Sequence, residues 1–205
     1  YDIDNMITSA KMAEDAGAVL VDINSGCPVP KVVRRGGGCE LMRNPDHVGE
    51  MISKVRSAVS VPVTIKFRSG WDEDNKNGLE YAKIAEQAGA AMLAVHGRTR
   101  SQLYRGEADW NIVGEISKAV SVPVIGSGDV VCFESYKKAR RLSSGGVMIG
   151  RGAISNPYIF DELARGESLS YSQAELVDRT IYALRLYEKL LAQDLPPKAC
   201  IGKLK

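Results

Sequence analysis

The sequence has few cysteines and little net charge, and both shortages narrow what the chain can do. Its cysteines, Cys27, Cys39, Cys132 and Cys200, include no CxxC pair. A zinc site is therefore not expected, and free thiols predict a reducing, cytoplasmic location. The formal net charge of +2 is too small to indicate nucleic-acid binding by itself. No apolar run is long enough to cross a bilayer and no signal peptide is visible, so neither a metal nor a membrane partner is predicted.

What the sequence does contain is a repeated pattern of helix and strand. The segment 10–18 recurs with small changes at 82–90, and the segment 58–63 recurs at 119–124. The first pair is typical of a helix that ends at glycine before an apolar strand, and the second of a strand that opens with proline. Such alternation predicts an α/β fold with a parallel sheet. Strands are expected near 19–24, 62–67, 91–96, 122–126 and 146–149, and helices near 46–58, 78–88, 109–119 and 132–142.

Polar or glycine-rich residues follow each predicted strand. They are Asn24 to Cys27, Lys66 and Arg68, His96 to Arg98, Gly126 to Asp129, and Gly150 to Gly152. A (β/α)8 TIM barrel carries its site on the carboxyl ends of many strands, whereas an open doubly wound sheet concentrates it at one switch point. The barrel is therefore favoured. Because glycine-rich loops after strands seven and eight often bind phosphate, the strands present here are expected to be about strands four to eight.

Residues 1–160 are thus predicted to be the C-terminal part of a barrel. After the last strand the pattern changes, and a capping box at 172–175 predicts the start of a long helix. Residues 161–205 are expected to begin a separate helical domain that the chain does not finish.

Each candidate site residue also has an ordinary structural explanation. Cys27 is consistent with a small buried residue at a turn, and His96 with a core histidine. Lys66 lies inside an apolar run and needs a partner. As a set they indicate a site, because backbone N–H groups at 126–129 and 150–152 suit a phosphate, Lys66 suits negative charge on a ring, and Cys27 can donate a proton. Such a set suits a phosphorylated planar cofactor facing a small unsaturated substrate.

Several segments closely resemble the signatures of the tRNA-dihydrouridine synthase family. They are 22–32, 65–68, 95–110, 127–129 and 148–152, and the resemblance continues to about Phe160. The most specific part is His96-Gly97-Arg98-Thr99 with the following Ala108-Asp109-Trp110, which other flavin barrels do not share.

The resemblance implies an FMN enzyme that uses NADPH to reduce the C5–C6 double bond of selected uridines in tRNA to dihydrouridine. It implies that the barrel part binds FMN and that the helical part binds tRNA. The complete protein is expected to be a cytoplasmic monomer with tRNA and NADPH as its partners.

The resemblance also implies roles for individual residues. Cys27 matches the general acid that protonates C5 while reduced flavin delivers hydride to C6, and Asn24 matches the residue that positions uracil. Arg68 and Arg98 resemble contacts to flavin or to the substrate nucleotide. The cofactor-binding positions are Lys66, His96, Ser127, Gly128, Asp129, Gly150 and Arg151, and no metal ligand is implied.

The sequence departs from the family pattern at two site positions, and two alternative functions remain open. Ser25 stands where methionine is frequent, and Ser127 stands where asparagine is common. The alternatives are another FMN barrel that acts on a free pyrimidine, of the dihydroorotate or dihydropyrimidine dehydrogenase type, and a non-catalytic truncated fragment that binds RNA.

Overall fold

The structure, a computed structural model, describes residues 2–168 and 173–192. The chain divides into two compact units. The first unit contains the residues up to 129 together with 137–148, and the second contains 130–136 and the residues from 149 onward. The domain boundary expected near residue 160 stays a prediction.

The first unit is built on a parallel sheet of five strands in the order β1-β2-β3-β4-β5. Each strand pairs with the next along the chain, as in a barrel, and the order does not reverse as it does at the switch point of an open doubly wound sheet. The predicted α/β class and parallel sheet are confirmed. The strands are β1 Val21–Ser25, β2 Val63–Arg68, β3 Leu93–His96, β4 Val124–Ser127 and β5 Gly146–Met148.

Helices follow the strands at the predicted places. The four predicted helices correspond to α3 to α6 with ends within two residues of those expected. In order, the helices are α1 Ile3–Asp15, α2 Pro30–Val33, a 3₁₀ helix Gly38–Arg43, α3 Pro45–Ala58, α4 Gly78–Gln87, α5 Trp110–Ala119, α6 Phe133–Arg140, α7 Arg151–Ser155, α8 Ile159–Arg165 and α9 Gln173–Leu191. None of the helices in the described ranges has the length and apolar character needed to cross a bilayer.

The two faces of the sheet carry different chemistry. Successive side chains of a strand point to opposite faces, and residues in register share a face. The aligned set Ile23, Ile65, Leu93 and Val124 is buried in the apolar core with side chains of the surrounding helices. The other face carries polar side chains near the carboxyl ends of the strands. The sequence pattern thus determines which face holds the core and which face is available for a site.

The repeated segments make the same contact twice. Glu14, in the first copy of the helix repeat, accepts hydrogen bonds from the backbone N–H groups of Ser60 and Val61, at 2.7 and 3.2 Å. Glu86, at the equivalent position of the second copy, accepts them from the N–H groups at 121 and 122, at 2.6 and 3.1 Å. Each carboxylate therefore fastens the turn that precedes a later strand.

The first strand begins later than its apolar run predicts. Val19 is 82% exposed and lies outside β1, and pairing with β2 begins only at Val21 opposite Val63. The expected starts of β1, β3 and β4, at 19, 91 and 122, each lie two residues before the strand begins. The capping box begins at Ser172, outside the described residues, and α9 starts at Gln173.

Candidate active site

The polar face gathers five of the predicted residues at neighbouring strand ends. Asn24 on β1 is the register partner of Lys66 on β2. Arg68 on β2 is aligned with His96 on β3, which is aligned with Ser127 on β4. Neighbouring strands lie about 4.8 Å apart, so these side chains form one continuous surface.

Asn24 shapes the turn that presents Cys27. Its side-chain oxygen accepts hydrogen bonds from the backbone N–H groups of Gly26 and Cys27, both at 3.1 Å. Such a bond fixes a turn locally, because an asparagine side chain replaces the carbonyl of a regular turn. The amide nitrogen of Asn24 bonds no residue in the described part of the chain and is available to a ligand carbonyl. Cys27 itself is a half-buried free thiol.

The segment that follows, residues 26–39, folds back over Cys27, and we call it the Cys27 loop. The N–H of Cys39 donates to the Cys27 carbonyl at 3.0 Å. Gly38 has φ +58, and a Cβ there would lie 2.4 Å from the same carbonyl oxygen. Only glycine permits this approach. Neither this contact nor the burial of Cys39, which raises the pKa of its thiol to about 11, was visible in the sequence.

The Lys66 ammonium makes no close pair in the sheet, although the Asp22 carboxylate on β1 attracts it electrostatically. Its half-buried ammonium makes no hydrogen bond or ion pair with any residue in the described ranges. Burial, and then the nearby Arg68 guanidinium, lower the pKa of Lys66. Burial and Arg68 outweigh the attraction of Asp22, so this partly desolvated ammonium favours an anionic ligand that adds negative charge beside it.

His96 is held in its neutral form. Its side chain is 8% exposed. Burial lowers the pKa of His96 to about 3, with further lowering by the charges of Arg68, Lys66 and Arg98. At neutral pH the imidazole is therefore uncharged, so it can accept a hydrogen bond as well as donate one. Gly128 packs beside the ring, since a Cβ there would lie 3.3 Å from His96 Cδ2.

Arg68 connects the loops that follow β1 and β3. Its Nε donates to the Gly26 carbonyl at 3.0 Å, and one terminal nitrogen donates to the carbonyls of Thr99 and Leu103 at 2.9 and 2.8 Å. The guanidinium also lies 5.7 Å from the centre of the Tyr104 ring. Arg68 thus holds Gly26, and with it the start of the Cys27 loop. Its predicted contact with flavin or nucleotide stays a prediction.

Arg98 is engaged within the protein. Its two terminal nitrogens pair with the two carboxylate oxygens of Asp129, each at 2.7 Å, and its Nε donates to the Arg105 carbonyl at 3.1 Å. The guanidinium is only 2% exposed. Asp129 has φ +55 and also accepts the N–H of Ala108 at 2.8 Å. The ion pair therefore stabilises the loop after β4, and the nucleotide contact expected of Arg98 stays a prediction.

The loop after β4 approaches the loop after β3 closely. A Cβ on Gly128, whose φ is +133, would lie 2.4 Å from Ala108 Cβ, and the Trp110 indole N–H donates to the Gly128 carbonyl at 3.1 Å. The path of the Ser127–Asp129 backbone is thus set by its neighbours. Gly150 and Arg151 belong to the second unit, where Gly150 precedes helix α7, and their predicted role in phosphate binding stays a prediction.

Comparison with known proteins identifies the family. The family model described as dihydrouridine synthase matches residues 1–193. The chain is 47% identical over 185 residues to tRNA-dihydrouridine synthase B of Pseudomonas putida, a match that covers 88% of this chain and 55% of that protein. It is 43% identical over 160 residues to tRNA-dihydrouridine synthase B of Pasteurella multocida, covering 78% and 48%. The chain spans about half the length of the curated relatives that it matches.

Solved structures support the barrel. Mandelate oxidase matches with a TM-score of 0.53 at 21% identity, over 80% of this chain and 51% of that one. Dihydrodipicolinate synthase from Acinetobacter baumannii matches with a TM-score of 0.55 at 13% identity, over 81% and 56%. At these identities the likeness shows the fold alone, and it confirms the predicted partial barrel. The chain belongs to the dihydrouridine synthase family.

Proposed function

We propose that this chain provides the flavin site and the uracil site of an enzyme that reduces uridine in tRNA to dihydrouridine. The observation that carries the proposal is Lys66, an unpaired ammonium beside the neutral His96 and one strand away from the Asn24–Cys27 turn. A half-buried cation that makes no ion pair with the described residues suits a ring that becomes negative during reduction. The family of the chain supports the choice of uridine in tRNA.

The residues of this face fit FMN. Lys66 and His96 would contact the isoalloxazine ring, and the loop 127–129 would hold the phosphate through backbone N–H groups, as glycine-containing loops do. The resemblance adds Gly150 and Arg151 to the phosphate site. When bound, FMN supplies hydride chemistry, with NADPH as the source of electrons.

Asn24 would bind the substrate base, and Cys27 would donate a proton to it. The free amide N–H groups of Asn24 would bind a uracil carbonyl, while its oxygen holds the backbone of the turn. This arrangement would fix Cys27 relative to the base, since the same side chain holds the Cys27 backbone N–H and would bind the base. Cys27 then gives its proton to C5 as a general acid. Extrusion of the uridine from the RNA stack is required before the base can reach such a pocket.

We also propose that the complete protein is a monomer that works in the cytoplasm on tRNA. The exposed Arg34 and Arg35 of the Cys27 loop support an RNA partner, because they place two positive charges in the segment that follows the proton donor. The small overall net charge makes such a local cluster the relevant feature.

The proton-donor role is tested by Cys27→Ala in the full-length protein. Reduction of bound FMN by NADPH should keep the wild-type rate, whereas reduction of undermodified tRNA should fall by about 10²–10⁴-fold, the range typical of general acids. Stopped-flow absorbance of the flavin follows both half-reactions. Cys132→Ala is the control, because it removes a free thiol from the second unit. Oxidation of the flavin by tRNA at the wild-type rate in Cys27→Ala would show that Cys27 is not the acid.

A further inference from the structure

A buried pair of hydroxyl groups connects helix α4 to the Cys27 loop. The hydroxyl oxygens of Tyr81 on α4 and Ser25 at the end of β1 lie 2.5 Å apart. Ser25 also approaches the Gly38 carbonyl, at 3.5 Å. A carbonyl only accepts, so the single proton of Ser25 points to Gly38 and the short bond is donated by Tyr81. The donors therefore run in one direction, from Tyr81 through Ser25 to the Gly38 carbonyl.

Tyr81 is well suited to act as a fixed donor. Its ring is buried and packs against Phe67 of β2, with ring centres 5.0 Å apart. Burial raises the pKa of Tyr81, so the phenol keeps its proton throughout the pH range in which proteins are usually stable. A locked ring with a permanent proton loses little side-chain entropy when it makes this bond.

Gly38 transmits this contact to Cys27. A Cβ at Gly38 would lie 2.4 Å from the Cys27 carbonyl oxygen and 3.0 Å from Cys27 Cβ, so the two backbones touch. The next residue, Cys39, donates its N–H to the same Cys27 carbonyl at 3.0 Å. A shift of the Gly38 peptide therefore displaces Cys27 directly. The Gly38 carbonyl is the point at which Ser25 fixes that peptide.

We propose that Tyr81 and Ser25 are positioning residues for Cys27, acting through the Gly38 peptide on the conformation of the Cys27 loop. The proposal rests on the proposed role of Cys27 as proton donor. Neither hydroxyl touches a reacting group.

The test uses Tyr81→Phe and Ser25→Ala in the full-length protein. Tyr81→Phe keeps the ring packed against Phe67 and removes only the donor. Loss of one net hydrogen bond should shift the equilibrium between the observed conformation of the Cys27 loop and conformations that expose Cys27 by about fivefold toward the exposed ones. The rate constant for alkylation of Cys27 by iodoacetamide, followed by peptide mass spectrometry, should therefore rise about fivefold. The kcat for tRNA reduction should fall by a smaller factor, because most molecules keep the wild-type loop conformation, and flavin reduction by NADPH should be unchanged.

A double variant and a control separate positioning from general loss of structure. Because both hydroxyls act on one peptide, Ser25→Ala combined with Tyr81→Phe should match the stronger single variant. Ser143→Ala removes another buried hydroxyl, which bonds the Ala139 carbonyl, and should leave Cys27 alkylation unchanged.

The outcomes also separate this proposal from the proposed function. An unchanged alkylation rate in Tyr81→Phe overturns the positioning role, whatever happens to thermal stability. Additive effects in the double variant overturn it as well, because they would show two independent routes. If Cys27→Ala still reduces tRNA at the wild-type rate, the proton-donor role fails, while a raised alkylation rate in Tyr81→Phe still supports positioning of the thiol.

Discussion

Replacement of Asp129 by asparagine tests whether the loop after β4 depends on a buried charge pair. Asp129 accepts two hydrogen bonds from Arg98, each at 2.7 Å, and one from the Ala108 N–H at 2.8 Å. Asparagine has nearly the same shape and tolerates a positive φ, so the backbone at φ +55 is not disturbed. The substitution therefore changes charge and one acceptor, and little else.

The expected loss follows from the burial of the two partners. Breaking a buried ion pair by removing one partner costs about 3–5 kcal/mol, because the other charge is stranded. Arg98 is 2% exposed, but Asp129 is 36% exposed, so water screens part of the interaction and the asparagine oxygen keeps one bond. We expect Asp129→Asn to lower the free energy of unfolding by about 2–3 kcal/mol. For a chain of this size that is a fall in Tm of about 4–12 °C.

Urea titration and thermal unfolding at pH 7, followed by circular dichroism, measure the loss. Asp72→Asn is the matched control, because Asp72 lies in a loop where one side-chain oxygen accepts the N–H groups of Asp74 and Asn75, at 3.2 and 3.0 Å. Asparagine makes the same bonds, so its effect should stay within about 0.5 kcal/mol.

Measuring Asp129→Asn in an Arg98→Met variant decides whether the stranded Arg98 charge causes the loss of stability. Arg98→Met removes that charge, so adding Asp129→Asn to it should cost much less than in the wild type. If Asp129→Asn is equally destabilising in both backgrounds, the ion pair does not account for the loss. If it destabilises no more than Asp72→Asn does, the whole argument from burial is wrong.

Two further predictions concern His96 and Gly38. Because the pKa of His96 is about 3 when folded and about 6.5 when unfolded, the unfolded chain binds more protons below pH 6.5. The contribution of His96 to the free energy of unfolding is thus complete above pH 6.5 and should fall by about 2 kcal/mol at pH 5. Urea titration across this pH range should show a weaker pH dependence of stability in His96→Asn than in the wild type. An equal pH dependence in both proteins would contradict the burial argument. In thermal unfolding, Gly38→Ala should lower the Tm clearly more than Gly106→Ala does. Both glycines have φ near +60, but only Gly38 faces the Cys27 carbonyl. Equal losses of stability would mean that the positive φ alone determines the cost.

The sequence predicted the sheet well because its signals are local. Apolar runs, glycine stops and prolines before strands marked the β/α units, and parallel pairing aligned their polar ends, including Lys66 and His96. The starts of β1, β3 and β4 were each placed two residues early, because the apolar runs extend beyond the paired segments. The roles of Arg98 and Tyr81 were not visible, since their partners lie 31 and 56 residues away along the chain. Such distant pairs leave no periodic trace in one sequence.

The matching contacts of Glu14 and Glu86 recur at a spacing of two strands. Glu14 precedes β1 and binds the turn before β2, whereas Glu86 precedes β3 and binds the turn before β4. The contact therefore recurs every second strand. The module that repeats is a pair of β/α units, in which a carboxylate on the first helix sets where the second strand begins. Two such modules, β1 with β2 and β3 with β4, lie side by side in this sheet.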